Sequence, residues 1–257
     1  MSIRFTEYVV LDINLEELIE SDSAILSLKS GLEDGIVYKI PHKIPIDIIE
    51  KFRAILLKSL SYRDPGYLER KHGCTNNYRV HWDGEHQATG AKFMSWSYYP
   101  WNHESSEWFI NFKNLFVLRN RLAGLDPNKY IDLKDQDFVA RIAAQFYPSG
   151  AGYMEEHVDP YDVHQFAIPT LLLSTPGVDF TDQGVFLLDV NDERVYLDKL
   201  LSFGDLFLFH TLIPHGVGVI DKHLELDESK TLGRLMMIAA VNALTNQDSF
   251  QSSRKND

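Results

Sequence analysis

The stretch VARIAAQFYPSGAGYMEEHVDP, residues 139–160, opens the part of the chain whose pattern decides the fold. From Phe138 onward, short apolar runs are separated by Gly, Pro, Asp and Asn, as in FAIPTLLLS, GVFLLDV, GDLFLFH and RLMMIAAVNAL. A series of about seven or eight short strands without intervening helices favours a sandwich or jelly roll over a parallel α/β sheet. We therefore predict a mainly β protein with flanking helices.

The part before Phe138 has a different texture. Pro45 precedes IDIIEKFRAILLKSL, whose apolar residues recur at helical spacing, and this predicts an amphipathic helix. A second helix is predicted over Glu104–Leu122, with its aromatic stripe in the core and Gly124 as the stop. The irregular segment between them, Tyr62–Asn102, predicts long loops with short strands.

These patterns give one domain over residues 1–257. Residues 1–137 form a mixed helical and loop part that covers the core, residues 138–244 form the β core, and residues 245–257 form a polar tail.

Composition excludes several classes of protein. With 257 residues, 44% of them hydrophobic, the chain is long and apolar enough to bury a core, unlike a disordered or fibrous sequence. Its net charge of −12 has the wrong sign for nucleic-acid binding. The lone Cys74 cannot form an internal disulfide. We see no signal peptide and no apolar stretch long enough to span a membrane, and therefore expect a soluble, cytoplasmic protein.

A metal site is the main chemical prediction. His157 and Asp159 are two residues apart, so in an extended segment their side chains point to the same face. Together with a second histidine from a distant strand, they would form the facial triad of a non-haem iron(II) site. His215, in PHGVGV, is the candidate third ligand, and His210 is the alternative.

Arg234 begins the final apolar strand, nineteen positions after His215 and beyond the polar segment DKHLELDESKT. Its alternation with Met236, Ile238 and Ala240 aims the guanidinium inward. A buried guanidinium needs an anion, and a planar fork suits a carboxylate. We therefore expect a dicarboxylate cosubstrate to bind both the metal and Arg234.

The order H-x-D, a distant H-G-V and then Arg on the following strand resembles the iron(II)/2-oxoglutarate-dependent dioxygenases. The resemblance covers roughly Phe138–Leu244 and implies a double-stranded β-helix (jelly roll) core. It implies Fe(II) bound by His157, Asp159 and His215, and 2-oxoglutarate paired through its distal carboxylate with Arg234.

The implied activity is hydroxylation of an unactivated C–H bond of a small molecule by dioxygen, with release of succinate and CO2. The small molecule is expected to be an amino acid derivative or a natural-product intermediate. Because Asp159 is present where related halogenases have a small residue, halogenation is disfavoured, whereas desaturation and ring closure stay open.

Other residues are weaker candidates. Tyr147, with Arg141 and Gln145 on the same face of the first core strand, either helps to seat 2-oxoglutarate or packs in the core. Thr170, on the strand after the H-x-D motif, either contacts the cosubstrate or is an ordinary strand residue. A further group, in the irregular part of the chain, would line the substrate entrance or lie in a solvated loop: Arg79, His81 and Trp82.

Two other functions are compatible with these residues. One is a non-catalytic β-helix module that binds a ligand, with structural histidines. The other is a zinc hydrolase, which is less favoured because it gives Arg234 no role.

Overall fold

The computed structural model describes residues 3–41, 44–62, 64, 66, 68–81, 90–131, 137–227 and 231–245. These residues contain five α-helices, namely α1 (Leu15–Glu20), α2 (Asp22–Glu33), α3 (Ile46–Lys58), α4 (Ser106–Asn111) and α5 (Lys113–Leu122). They also contain twelve β-strands, namely β1 (Glu7–Val10), β2 (Ile36–Ile40), β3 (Asn77–His81), β4 (Ala91–Tyr98), β5 (Phe138–Pro148), β6 (Tyr153–His157), β7 (Thr170–Leu172), β8 (Val185–Leu188), β9 (Arg194–Tyr196), β10 (Leu206–Leu208), β11 (His215–Val217) and β12 (Gly233–Ala243).

Eight of these strands form two four-stranded layers. One layer has the order β10-β7-β12-β5, and the other has the order β6-β11-β8-β9. Neighbouring strands within each layer are antiparallel, and successive strands of the chain change layer repeatedly. This is a double-stranded β-helix, so the predicted mainly β jelly roll is confirmed.

The N-terminal strands extend these layers. β1 and β2 continue the sheet beyond β10, whereas β3 and β4 continue it beyond β5. β4 also joins the layers, because its end pairs with β5 and its beginning, at Ala91 and Lys92, pairs with β6. The sequence predicted loops with short strands in Tyr62–Asn102. The eight-residue strand β4 was missed because its aromatic residues fall on both faces, which hides the period of two that marks a strand.

The helices cover the first layer. α3 follows Pro45 as predicted, and its Phe52 side chain is fully buried against Trp108 and Phe112. The second predicted helix is interrupted at Phe112, where the backbone leaves helical geometry between α4 and α5. None of the described helices combines the length and apolar character that crossing a bilayer requires.

The longest pairing, between β5 and β12, sets the geometry of the interior. Eleven residues of each strand are in register, with Tyr147 opposite Arg234 and Arg141 opposite Ala240. Since side chains alternate along a strand, Arg141, Tyr147 and Arg234 share one face of this pair. Arg141 and Tyr147 are six positions apart, which corresponds to about 20 Å along the strand.

The polar segment after β11 begins with a buried carboxylate. Asp221 is 2% exposed and has a positive φ of 47°. Its oxygens accept hydrogen bonds from the Ser149 and Thr181 hydroxyls and from the backbone N–H groups of Thr181 and Asp182. Asp221 therefore joins the β5–β6 turn to the segment before β8.

We expect Asp221→Ala to lower the free energy of unfolding by about 3 kcal/mol, since several charge-assisted hydrogen bonds are lost at a buried site. Burial alone would raise the pKa of Asp221, but its hydrogen bonds outweigh this and lower it. The stabilisation is therefore complete above the unfolded pKa of about 4 and is lost as the pH falls through the lower folded value.

Urea unfolding at pH 7 and at successively lower pH tests this expectation. Asp126→Ala is the control, because Asp126 is exposed and its carboxylate accepts a hydrogen bond from the N–H of Asn128 in the adjacent turn. Equal effects of the two substitutions at pH 7 would contradict the role of Asp221.

Candidate metal centre and adjoining cavity

A cavity of about 540 Å³ lies between the two layers of the β-helix. β5 and β12 contribute one wall, and His157, Asp159 and His215 contribute to the opposite side. The segment that follows Asp159 supplies further lining residues, among them Asp162 and His164.

Strand register brings the three predicted ligands together. His157 ends β6 and lies directly opposite His215 at the start of β11. Asp159 lies just past the strand, held by a backbone hydrogen bond from its N–H to the carbonyl of Thr211. Its carboxylate oxygens are 3.8 Å from His157 Nε2 and 3.4 Å from His215 Nε2, and one donor atom from each residue lies within 4.8 Å of the others.

Backbone carbonyl groups orient both imidazole rings. His157 Nδ1 is 2.9 Å from the carbonyl of Glu155, and His215 Nδ1 is 2.8 Å from that of Ile213. These carbonyls can only accept, so each ring donates from Nδ1 and turns Nε2, the nitrogen that would bind a metal, to the common point. Two imidazole nitrogens and one carboxylate are the donor set of a non-haem iron(II) site, so the residues present fit the metal.

The alternative ligand His210 lies elsewhere. Its Nδ1 accepts a hydrogen bond from the N–H of Leu212, and its ring packs against Tyr161 and Phe166. Burial lowers the pKa of His210 to about 4, so the ring is neutral. Among the described residues, the cluster able to hold a metal contains His215 and not His210.

Charge within the cluster favours an anionic Asp159. Burial alone would raise the pKa of Asp159, but His215 and His157 outweigh it and lower that pKa. Burial, followed by the neighbouring His215, lowers the pKa of His157. The pKa of His215 is raised, because Asp159 outweighs the effect of burial.

Arg234 is fully buried, as its place on the final strand predicted, but it already has a counterion. Its Nε donates to Asp198 Oδ2 at 2.6 Å and its Nη2 donates to Asp198 Oδ1 at 3.1 Å. Asp198 therefore already neutralises Arg234, and the contact between Arg234 and a cosubstrate carboxylate stays a prediction. The third nitrogen, Nη1, does not contact Asp198. It is 2.8 Å from the Sδ atom of Met236, a residue that lines the cavity.

Four of the weaker candidates line the cavity, namely Arg141, Gln145, Tyr147 and Thr170. The Tyr147 hydroxyl donates to Gln145 Oε1 at 2.9 Å, and burial raises the pKa of Tyr147, so the hydroxyl stays protonated. Thr170 also lines the cavity, with its hydroxyl donating to the carbonyl of Ile168.

Two of the suggested entrance residues, Arg79 and His81, do not line the described cavity. Arg79 pairs with Asp64, and the ring of His81 stacks on Phe93 while Nε2 contacts the Ser95 hydroxyl. Trp82 lies outside the described residues. The geometry gives no support to a substrate role for Arg79 and His81, and for all three residues that role stays a prediction.

Sequence analysis missed Asp198 and Arg70. Asp198 lies in the short segment LDKL between β9 and β10, where nothing in the sequence indicates burial. Arg70 lies in an irregular segment before β3, yet it lines the same cavity as the cluster. Both associations depend on contacts across the fold.

Comparison with known proteins shows the fold. No protein-family model matches the chain, and no curated protein matches it. Among solved structures, a Pseudomonas putida prolyl-4-hydroxylase is similar with a TM-score of 0.52 and 12% identity, over 86% of this chain and 99% of that chain. A full-length Neurospora crassa protein, solved in complex with alpha-KG and thymine, gives 0.53 and 12%, over 98% and 92%. The alpha-ketoglutarate-dependent epimerase SnoN from nogalamycin biosynthesis gives 0.53 and 11%, over 92% and 93%.

The chain therefore has the double-stranded β-helix fold of 2-oxoglutarate-dependent non-haem oxygenases, as the resemblance of its motifs implied.

The pair between Arg234 and Asp198 makes a prediction about stability. Asp198→Ala leaves a buried guanidinium without its carboxylate, and we expect the free energy of unfolding to fall by about 3–5 kcal/mol. Chemical denaturation measures this loss. In the control, the double variant Asp198→Leu/Arg234→Met, no buried charge is left, so part of the loss should be recovered. A double variant no more stable than Asp198→Ala would contradict the explanation.

Proposed function

We propose that the protein is an iron(II)- and 2-oxoglutarate-dependent oxygenase that hydroxylates an unactivated C–H bond of a small molecule. The observation that carries this proposal is the convergence of two Nε2 atoms and one carboxylate in a cavity of a double-stranded β-helix. The fold shared with alpha-KG-dependent enzymes supports it.

In this proposal, His157, Asp159 and His215 hold the iron. When bound, iron(II) and 2-oxoglutarate supply oxidation by dioxygen, in which one oxygen atom enters the substrate and the other enters succinate, with loss of CO2. The chain supplies the fixed donor geometry through the carbonyls of Glu155 and Ile213.

Arg234 and Tyr147 are the proposed contacts for 2-oxoglutarate. Asp198 fixes the guanidinium through two of its nitrogens, which directs Nη1 toward the cavity-lining Met236. The protonated Tyr147 hydroxyl lies opposite Arg234 in the strand register. To donate to a carboxylate at the buried end of the cavity, the Tyr147 hydroxyl would turn from Gln145 and Nη1 would turn from Met236. Thr170 is a third proposed contact.

The alternatives make different predictions. A ligand-binding module would contain no transition metal, and a zinc hydrolase would turn over without dioxygen. Because Asp198 accounts for the burial of Arg234, that burial no longer argues against a hydrolase, and dependence on dioxygen becomes the deciding measurement. The cytoplasmic location and the small-molecule substrate stay predictions.

We expect anaerobic addition of iron(II) and 2-oxoglutarate to give a visible charge-transfer band, and His157→Ala to abolish it because one of three ligands is removed. The matched control is His210→Asn, in which an amide oxygen can replace Nδ1 as acceptor for the N–H of Leu212. An unchanged band in His157→Ala, or its loss in His210→Asn alone, would contradict the ligand set.

Tyr147→Phe should raise the 2-oxoglutarate concentration needed for half of the charge-transfer band by about tenfold, because one hydroxyl donor is lost. The free energy of unfolding should change by no more than about 1 kcal/mol, since Phe preserves the packing. Tyr8→Phe is the control, because its hydroxyl bonds to the carbonyl of Leu200, away from the cavity. An equal titration midpoint in Tyr147→Phe and the parent protein would exclude this contact.

A further inference from the structure

The cavity has a second cationic end that the proposed reaction does not use. Arg141 and Arg70 both line it. Arg141 lies six residues before Tyr147 on β5, so the two ends are separated by about 20 Å along the strand. Arg141 and Arg70 are half-buried, whereas Arg234 and Tyr147 are fully buried.

Neutral groups hold Arg141 in place. Its Nε donates to Asn242 Oδ1 at 2.7 Å, and its Nη1 donates to the Ser97 hydroxyl at 2.9 Å. These contacts fix the plane of the guanidinium, and among the described residues none of the ion pairs compensates its charge. Burial, followed by the adjacent Arg70, lowers the pKa of Arg141 to about 10, so the group remains charged at neutral pH.

Arg70 is also held by neutral contacts. Its Nη1 donates to the carbonyl of Ala243 at 3.3 Å, and its Nε is buried without a hydrogen-bond partner in the described structure. The ion pairs found among the described residues include neither Arg70 nor Arg141.

The carboxylates among the described lining residues form no ion pair with Arg141 or Arg70. Asp159 belongs to the metal cluster, and Asp162 Oδ1 accepts the backbone N–H of His164. They are the two carboxylate residues among the described lining residues. Two neighbouring guanidinium groups without a carboxylate repel one another, and an oxyanion with several acceptor oxygens would remove that cost.

The wall of the cavity near its partly exposed end is held in place by several contacts. The segment after Asp159 reaches it, because the His164 ring stacks on Phe138 at the beginning of β5. Arg119 and Tyr130 bond to the His164 carbonyl and ring, so this segment is fixed against α5 and its following turn. A molecule bound between Arg141 and the metal cluster would therefore lie beside this fixed segment.

We propose that Arg141 and Arg70 bind an anionic group of the substrate, a carboxylate or a phosphate, and so direct the remainder of the substrate toward the His157–Asp159–His215 cluster. This inference rests on the proposed oxygenase function and adds the chemical class of the substrate to it. The chain has a net charge of −12, so its overall charge does not attract anions. Binding of an anion would therefore depend on these two guanidinium groups in the cavity.

Binding of small probes tests the anion site. The probes are benzoate, phenylacetate, octanoate and phenyl phosphate, each compared with its neutral amide or, for the phosphate, with phenol. Dissociation constants are measured by ligand-detected NMR on the full chain loaded with zinc(II) and saturating 2-oxoglutarate, which occupies the cosubstrate site without turnover. At least one anion should bind about tenfold or more tightly than its neutral partner. Preference for carboxylates or for the phosphate identifies the group.

Variants locate that preference. Arg141→Gln and, independently, Arg70→Gln should each reduce it by about tenfold, whereas Arg141→Lys should keep part of it because the charge remains. Arg194→Gln is the control, since Arg194 is half-exposed over Phe186 and does not line the cavity. Equal binding of every anion and its neutral partner, or a preference unchanged in both Gln variants, would overturn the proposal.

The charge-transfer titration separates the two proposals. If Arg141→Gln weakens 2-oxoglutarate binding and not probe binding, Arg141 belongs to the cosubstrate site and the substrate proposal is wrong. If the parent protein shows no charge-transfer band but still prefers anions through Arg141, the anion site stands and the oxygenase proposal is wrong.

Discussion

The pairing of β6 with β11 is the constraint on which the site depends. Antiparallel register places His157 opposite His215, and backbone carbonyls two residues earlier hold both rings. The orientation of the donors is therefore set by main-chain geometry, which the two layers of the β-helix enforce. A shift of one residue in this register would turn one imidazole out of the cavity.

The β5–β12 pair supports this arrangement from the opposite wall. Its eleven-residue ladder fixes Tyr147 opposite Arg234 and carries Arg141 toward the other end. At the closed end, Asp198 neutralises Arg234, so the guanidinium is present in a fixed position before any ligand arrives. The charge of Arg234 is thus part of the folded structure, and its third nitrogen lies against Met236, which lines the cavity.

Sequence patterns predicted the features that are local. The strand series after Phe138, the helix after Pro45 and the H-x-D spacing each depend on neighbouring residues, and the corresponding elements are present. Features that depend on contacts across the fold were missed or misplaced. Asp198 as the counterion of Arg234 and β4 as the link between layers are examples, because each partner lies far away in the sequence.

The different burial of the two cavity ends has a kinetic consequence. Arg234 and Tyr147 are sealed from solvent, whereas Asn242 and Ala243 at the other end are partly accessible. A compound bound near Arg141 would obstruct the path from that accessible end to the buried end of the cavity. If the cosubstrate occupies the buried end, as proposed above, it enters before the substrate and its product leaves after that of the substrate, which gives a compulsory order of addition and release.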